Sequence, residues 1–299
     1  MGRRASSELN TPQIMKAPTP STTPLSGNET LREPGFSYLR QFFSADEAQE
    51  LGEFFAGLHP LWEDRYAPGT TSRRGTSGRL TRPVYWLGAW QFAALGYYAE
   101  PDHLTDRCVR AEPLPPVMTR ILERLRDELV EHGDTGPLPN TCLINYYGSK
   151  RDTDDGPPVD VARLRMHRDR EPGAVVMFSV GQPAQFEFVL PGAEAPARSL
   201  WIRNRSVVIL SGPEFKDRLY HRVTRVRHGQ LPALTTQLDR FAVRRVSVSF
   251  RHVPDAYIHD LHELGDAARA IATHYVEQLA VHSPHFRAQL DAAGGQPRD

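Results

Sequence analysis

Between residues 140 and 251 the sequence falls into eight short runs rich in β-branched and aromatic residues. They are 140–147, 162–167, 174–180, 184–190, 198–203, 206–211, 218–226 and 243–251, separated mostly by Gly, Pro, Asn and Asp. Amphipathic helices precede them. Ser44 and Glu47 form a capping box, and Leu51, Phe54, Phe55 and Leu58 then recur at helical spacing. A second helix follows Pro115-Pro116, with Val117, Ile121, Leu122, Leu125 and Leu129 on one face and His132-Gly133 at its end. Eight short strands packed behind helices predict a mainly β fold with flanking helices, a double-stranded β-helix or jelly roll of about eight strands. An eight-stranded sandwich with no cavity is the competing architecture.

Residues 1–33 are rich in Pro, Ser, Thr and Asn and lack apolar periodicity, so a disordered tail is expected there. The main domain is placed at 34–254. From 255 to 299 helical spacing returns, with Leu264, Ala268, Ile271, Tyr275 and Leu279 in one stripe, which predicts a C-terminal helical extension.

Lys+Arg and Asp+Glu balance at 36 each, so no net field draws the whole molecule to a polyanion. Cysteine is limited to Cys108 and Cys142, too few for a disulfide framework or a thiolate zinc site. No apolar run is long enough to cross a membrane, and MGRRASSELNTPQ is not followed by an apolar signal region. The expectation is a soluble cytoplasmic enzyme, acting as a monomer without a membrane partner.

Met166-His167-Arg168-Asp169 carries the strongest chemical signal, because residues two apart on a strand share a face and bring an imidazole beside a carboxylate. His221, on a late strand, can complete the set. Two His and one carboxylate leave three positions of an octahedral ion open, the arrangement that non-haem iron(II) oxygenases use, whereas structural zinc wants four protein ligands. His132-Gly133-Asp134 repeats the triplet but reads as a helix end, with a cationic ring suited to the macrodipole and a left-handed glycine cap.

On Arg245-Val246-Ser247-Val248-Ser249-Phe250-Arg251, alternation places Arg245, Ser247, Ser249 and Arg251 on one face. Two guanidinium groups leaning over two small hydroxyls suit a short dicarboxylate such as 2-oxoglutarate. Asn145 and Tyr147, also two apart, can donate to carboxylate oxygens. Between residues 65 and 90 lie Arg65, Arg73, Arg74, Arg79 and Arg82 without one acidic residue, interleaved with Tyr85, Trp86 and Trp90. Such a segment suits a groove that tracks a nucleic-acid backbone, and it equally suits a solvated loop anchored by its aromatics.

The order Asn-x-Tyr, His-x-Asp, His, Arg-x-Ser-x-Ser-x-Arg resembles the AlkB family of nucleic-acid dealkylating dioxygenases. The likeness runs from about Gly35 to Arg251 and includes Pro34-Gly35-Phe36-Ser37-Tyr38 and Val180-Gly181-Gln182-Pro183-Ala184-Gln185-Phe186. It implies iron(II) on His167, Asp169 and His221. It implies 2-oxoglutarate on Asn145, Tyr147, Arg245 and Arg251, with oxygen as the third reactant. Ser247 and Ser249 stand where the bacterial repair enzymes have Asn and Thr, keeping Ser247 in the cosubstrate set. Glu171 replaces the family's base-facing Asp, and the Arg that follows the Phe-x-Phe strand has no counterpart after Phe186-Glu187-Phe188. Residues 65–110 correspond to the nucleotide-recognition lid, with Trp90 and Tyr97, or Tyr98, as its aromatic contacts. The implied reaction is demethylation of 1-methyladenine- or 3-methylcytosine-type bases in a single-stranded or flipped-out nucleic acid. A protein side chain or small molecule is the alternative substrate.

Overall fold

A computed structural model describes residues 27–63, 80–91, 108–169, 171 and 173–294. All eight expected runs are strands: β6 (Thr141–Lys150), β8 (Leu164–His167), β9 (Val175–Gly181), β10 (Ala184–Val189), β11 (Arg198–Ile202), β12 (Ser206–Leu210), β13 (Tyr220–Val226) and β14 (Phe241–Arg251). Additional strands are β1 (Leu31–Glu33), β2 (Phe36–Leu39), β3 (Val84–Leu87), β4 (Ala89–Gln91), β5 (Cys108–Arg110), β7 (Val159–Asp160) and β15 (Ile258–His259). Leu31–Glu33, expected to belong to a disordered tail, instead pairs with β2.

The strands form two principal sheets. The larger runs β1-β2-β12-β9-β14-β6-β3, with β7 pairing β6, and the smaller runs β11-β10-β13-β8. A third small sheet runs β15-β5-β4 and joins β4 and β5 to the C-terminal extension. This is the jelly roll, and its alternation sorts every central strand. Val246, Val248 and Phe250 of β14, with Val176, Phe178 and Val180 of β9, pack toward the helices in one core. Val175 and Met177 of β9 and Phe186 and Phe188 of β10 fill a second core that faces between the sheets. Arg245, Ser247 and Arg251 take the alternate positions on β14 and are buried.

Helix α1 (Ala45–Gly57) starts at the predicted capping box, with Ser44 accepting from the Glu47 amide and Glu47 accepting from that of Ser44. Its buried Leu51 and Phe55 each contribute about 1.5–3 kcal/mol by leaving water. The second predicted helix is broken at Leu125 into α2 (Pro116–Arg124) and α3 (Arg126–Glu131), and Gly133 follows at φ +79° in the left-handed region that only glycine enters freely. The C-terminal stripe forms α4 (Asp266–Ala280), and a separate α5 (Pro284–Gly294) follows it. No described helix is long and apolar enough to cross a membrane.

Candidate metal centre

His167, Asp169 and His221 each present a ligand atom, and these atoms lie within 4.8 Å of one another. The reason differs from simple strand alternation. β8 ends at His167, and Asp169 lies in the chain beyond it. On β8, His167 is paired with His221 while Leu164 is paired with Val223, so three steps on β8 face two on β13. One extra residue in β8 is a bulge, which turns both Leu164 and His167 inward. It also delivers the Arg165 carbonyl to His167 Nδ1 at 2.9 Å. A carbonyl only accepts, so Nδ1 carries the proton and Nε2 keeps its lone pair for a metal.

The His221 ring stacks on Phe186 at 5.4 Å, and its Nε2 is 3.4 Å from Asp169 Oδ2. Asp169 Oδ1 accepts from Arg251 Nη2 at 2.6 Å, which leaves Oδ2 toward the imidazoles. Burial drives the proton affinity of His167 down to about 3, with His221 adding to the effect, so the ring is neutral at pH 7. Burial works to raise the Asp169 carboxyl, but Arg251 and the two imidazoles outweigh it and hold the group well below the usual range. His167 and Asp169 are thus in metal-binding protonation before any metal arrives.

A π-helical turn at Pro213–Arg218 steadies the loop after β8. Buried Lys216 donates through Nζ to the Glu171 carbonyl, and Arg168 donates to that of Asp217 at 2.6 Å. Two His and one carboxylate, one oxygen of which is already engaged, suit iron(II) with open positions and not a closed structural ion.

Arg245 lies at the other end of the inner face. It is 1% exposed, donates to Ser179 Oγ at 2.6 Å and to the Gln182 carbonyl at 3.3 Å, and its Nε has no partner among the described residues. Gly181, at φ +95°, lets the β9–β10 turn bring that carbonyl in, and a Cβ there would meet the Arg244 oxygen at 2.5 Å. Burial lowers the Arg245 pKa to about 10, and no carboxylate pairs with it among the described residues. A buried, charged guanidinium without an anion, paired in register with Tyr147, fits a guest carboxylate. Ser247 is buried between Asn145 and Ser179 in register.

Other expectations are corrected. Arg251 does not lean toward Arg245. It pairs with Asp169 and, through Nε at 2.9 Å, with Glu171. The six-residue separation, roughly 20 Å along a strand, is not bridged because carboxylates near the metal ligands claim the second guanidinium first. Glu171, expected to face a base, spends its carboxylate on that pair. Trp90, expected to stack on a base, is 0% exposed: its indole N–H donates to Glu63 at 2.8 Å and its ring meets Tyr275 and Phe286 edge-on. Tyr97, Tyr98, Arg65, Arg73, Arg74 and Arg79 lie outside the described residues. His132 is confirmed at a helix end, but burial lowers its pKa, and it bonds to Ser37 Oγ at 2.8 Å as a neutral ring. Asp134 accepts from the Ala174 amide, so the decoy triplet is structural.

Two features escaped sequence reasoning. Glu63 is buried and accepts from both Trp86 and Trp90, and nothing in its neighbourhood signals this. Arg82, grouped by sequence with the exposed basic segment, is buried and donates to Asn145 Oδ1 at 2.8 Å. Pro83 and the strand that follows were the only hint of its burial.

Residues 35–251 match the 2OG-Fe(II) oxygenase superfamily. Among solved structures the chain is similar to OsALKBH1, with 20% identity over 74% of this chain and 100% of that one and a TM-score of 0.48. No curated protein matches the chain.

Proposed function

Because the chain belongs to the 2OG-Fe(II) oxygenase superfamily and is an iron(II)- and 2-oxoglutarate-dependent dioxygenase, we propose that it oxidatively demethylates N-alkylated bases in single-stranded or flipped-out nucleic acid. The observation that carries the dioxygenase chemistry is the pairing of an open His-Asp-His set with a buried arginine lacking an anion. Support for the nucleic-acid substrate is the AlkB-like motif order and the acid-free basic segment from 65 to 90. In this reading the dioxygenase domain spans 34–254, with residues 65–110 as its recognition lid.

When bound, iron(II) and 2-oxoglutarate supply the oxidation, consuming oxygen, releasing succinate and CO2 and hydroxylating a substrate C–H. The chain's own part is to hold and orient. His167 Nε2, Asp169 Oδ2 and His221 would hold the ion, and the Arg165 carbonyl and Arg251 fix the faces of two of them. Arg245, Tyr147, Asn145 and Ser247 would hold the cosubstrate beside the buried cluster that contains Tyr147, Phe186 and Phe188. If the hydroxylated carbon is an N-methyl group, its C–N bond breaks to give formaldehyde and the free base.

A second reading keeps the chemistry and replaces the substrate with a protein side chain or small molecule. It is favoured by the positions of Trp90 and Glu171, which turn away from the base-binding roles. One experiment separates the two. Protein is loaded anaerobically with iron(II) and 2-oxoglutarate, exposed to oxygen with methylated oligonucleotides or peptides, and assayed for formaldehyde and succinate. Oligonucleotide-dependent formaldehyde supports repair, and its absence at low salt leaves only the dioxygenase.

A further inference from the structure

Three buried arginines approach the inner face, and only two have an explanation above. Arg251 is committed to Asp169 and Glu171, and Arg245 waits at the far end. Arg82 is the third. It is 4% exposed, just ahead of edge strand β3, and its guanidinium carbon sits 5.7 Å from the centre of the Tyr147 ring. Its one side-chain hydrogen bond among the described residues goes to the neutral amide of Asn145, and no ion pair to it occurs among them. Elsewhere in the fold even exposed arginines take carboxylates, as Arg124 does with Glu47 and Arg240 with Asp154. Leaving a buried guanidinium without an anion costs several kcal/mol, so the empty partnership needs a reason.

Asn145 supplies one. An arginine has only donors, so its bond to Oδ1 fixes which way the amide points. Nδ2 is then turned the other way, and its one contact among the described residues is a long 3.4 Å to the Leu143 carbonyl. A guanidinium and an amide NH2 are thereby held next to each other, both as donors. Two neighbouring donors, one of them charged, suit a carboxylate. On β6, Asn145 lies between Tyr147, which is opposite Arg245, and Thr141, which is opposite Arg251, and Arg251 holds Asp169, so this donor group is on the metal side of Arg245.

We propose that Arg82 and Asn145 together receive the metal-end carboxylate of 2-oxoglutarate, while Arg245 receives the distal one. Arg82 thus takes the second-arginine role that strand alternation assigned to Arg251. The inference rests on the cosubstrate reading of the site, and the test keeps the two apart.

Protein loaded with Mn(II), a redox-quiet substitute for iron, is titrated calorimetrically with 2-oxoglutarate and with 2-oxopentanoate. The second ligand keeps the 2-oxo acid end and lacks the distal carboxylate. Arg82→Met is expected to weaken both ligands by the same factor, about tenfold to a hundredfold for a lost charge-assisted contact. Arg245→Met should weaken 2-oxoglutarate alone. If Arg82→Met weakens only 2-oxoglutarate, the residue serves the distal end and the proposal fails. If both ligands bind as in wild type while oligonucleotide affinity drops, Arg82 faces substrate and the proposal also fails. Should Arg82→Met not fold, Asn145→Asp gives the arginine the anion it lacks. That variant should raise the melting temperature of the metal-free protein and weaken both ligands, and full ligand affinity in it would overturn the assignment. Wild-type protein that binds no 2-oxoglutarate would refute the cosubstrate reading itself, and this inference with it.

Discussion

Replacing Arg245 by Met should move stability and cosubstrate affinity in opposite directions. Burial lowers the Arg245 pKa from its ordinary value to about 10, and at about 1.4 kcal/mol per unit the charged form is disfavoured by about 3 kcal/mol without cosubstrate. Met of similar length removes that cost but gives up the bonds to Ser179 Oγ and the Gln182 carbonyl, about 1 kcal/mol each. The net is about +1 kcal/mol, a rise of roughly 2–4 °C in the melting temperature of the metal-free protein. With 2-oxoglutarate present the sign reverses. Loss of a buried bidentate contact costs about 3 kcal/mol of binding, on the order of a hundredfold in Kd. Wild type should therefore gain stability on adding cosubstrate, and the variant should gain almost none at the same concentration. Differential scanning fluorimetry with and without 2-oxoglutarate reads both effects. A variant that melts several degrees lower when empty, yet keeps wild-type stabilisation by 2-oxoglutarate, would show Arg245 to be a structural residue and refute the reasoning.

His167→Ala and Asp169→Ala should abolish stoichiometric iron binding while His132→Ala preserves it, measured by metal content after anaerobic loading. Equal iron in Asp169→Ala would remove the metal assignment. Trp90→Ala should cost about 3–5 kcal/mol, because it empties a core site and takes one donor from Glu63, lowering the melting temperature on the order of 10 °C. Wild-type melting with weakened oligonucleotide binding would instead restore its stacking role. The metal-free protein should lose stability as pH falls below about 6.5. His59, His132 and His167 are all held below that value, each chiefly by burial, so the folded state binds fewer protons than the unfolded one. The contribution is complete above pH 6.5 and declines toward about 3 for His167. A melting temperature unchanged between pH 7 and pH 5 would contradict this.

Strand and helix periodicity fixed much of this protein locally. The eight runs between 140 and 251, the capping box at Ser44 and the inward face of β14 follow from which residues alternate, and alternation needs only near neighbours. The candidate metal ligands were legible because a two-residue spacing on a strand-like run sets His167 beside Asp169, and a late His can complete the set. Their geometry was not: the bulge that turns His167 inward exists only in pairing with β13, and Asp169 lies past the strand end. Periodicity says which face a side chain occupies and nothing about what else reaches that face. Arg251 meets Asp169 across 82 positions of sequence, and Arg82 meets Asn145 across 63. In a buried, low-dielectric pocket those distant meetings decide which arginine is already neutralised and which still needs an anion. For the same reason Trp90, one aromatic among several in a basic segment, became a core residue only when the C-terminal helices brought Tyr275 and Phe286 against it.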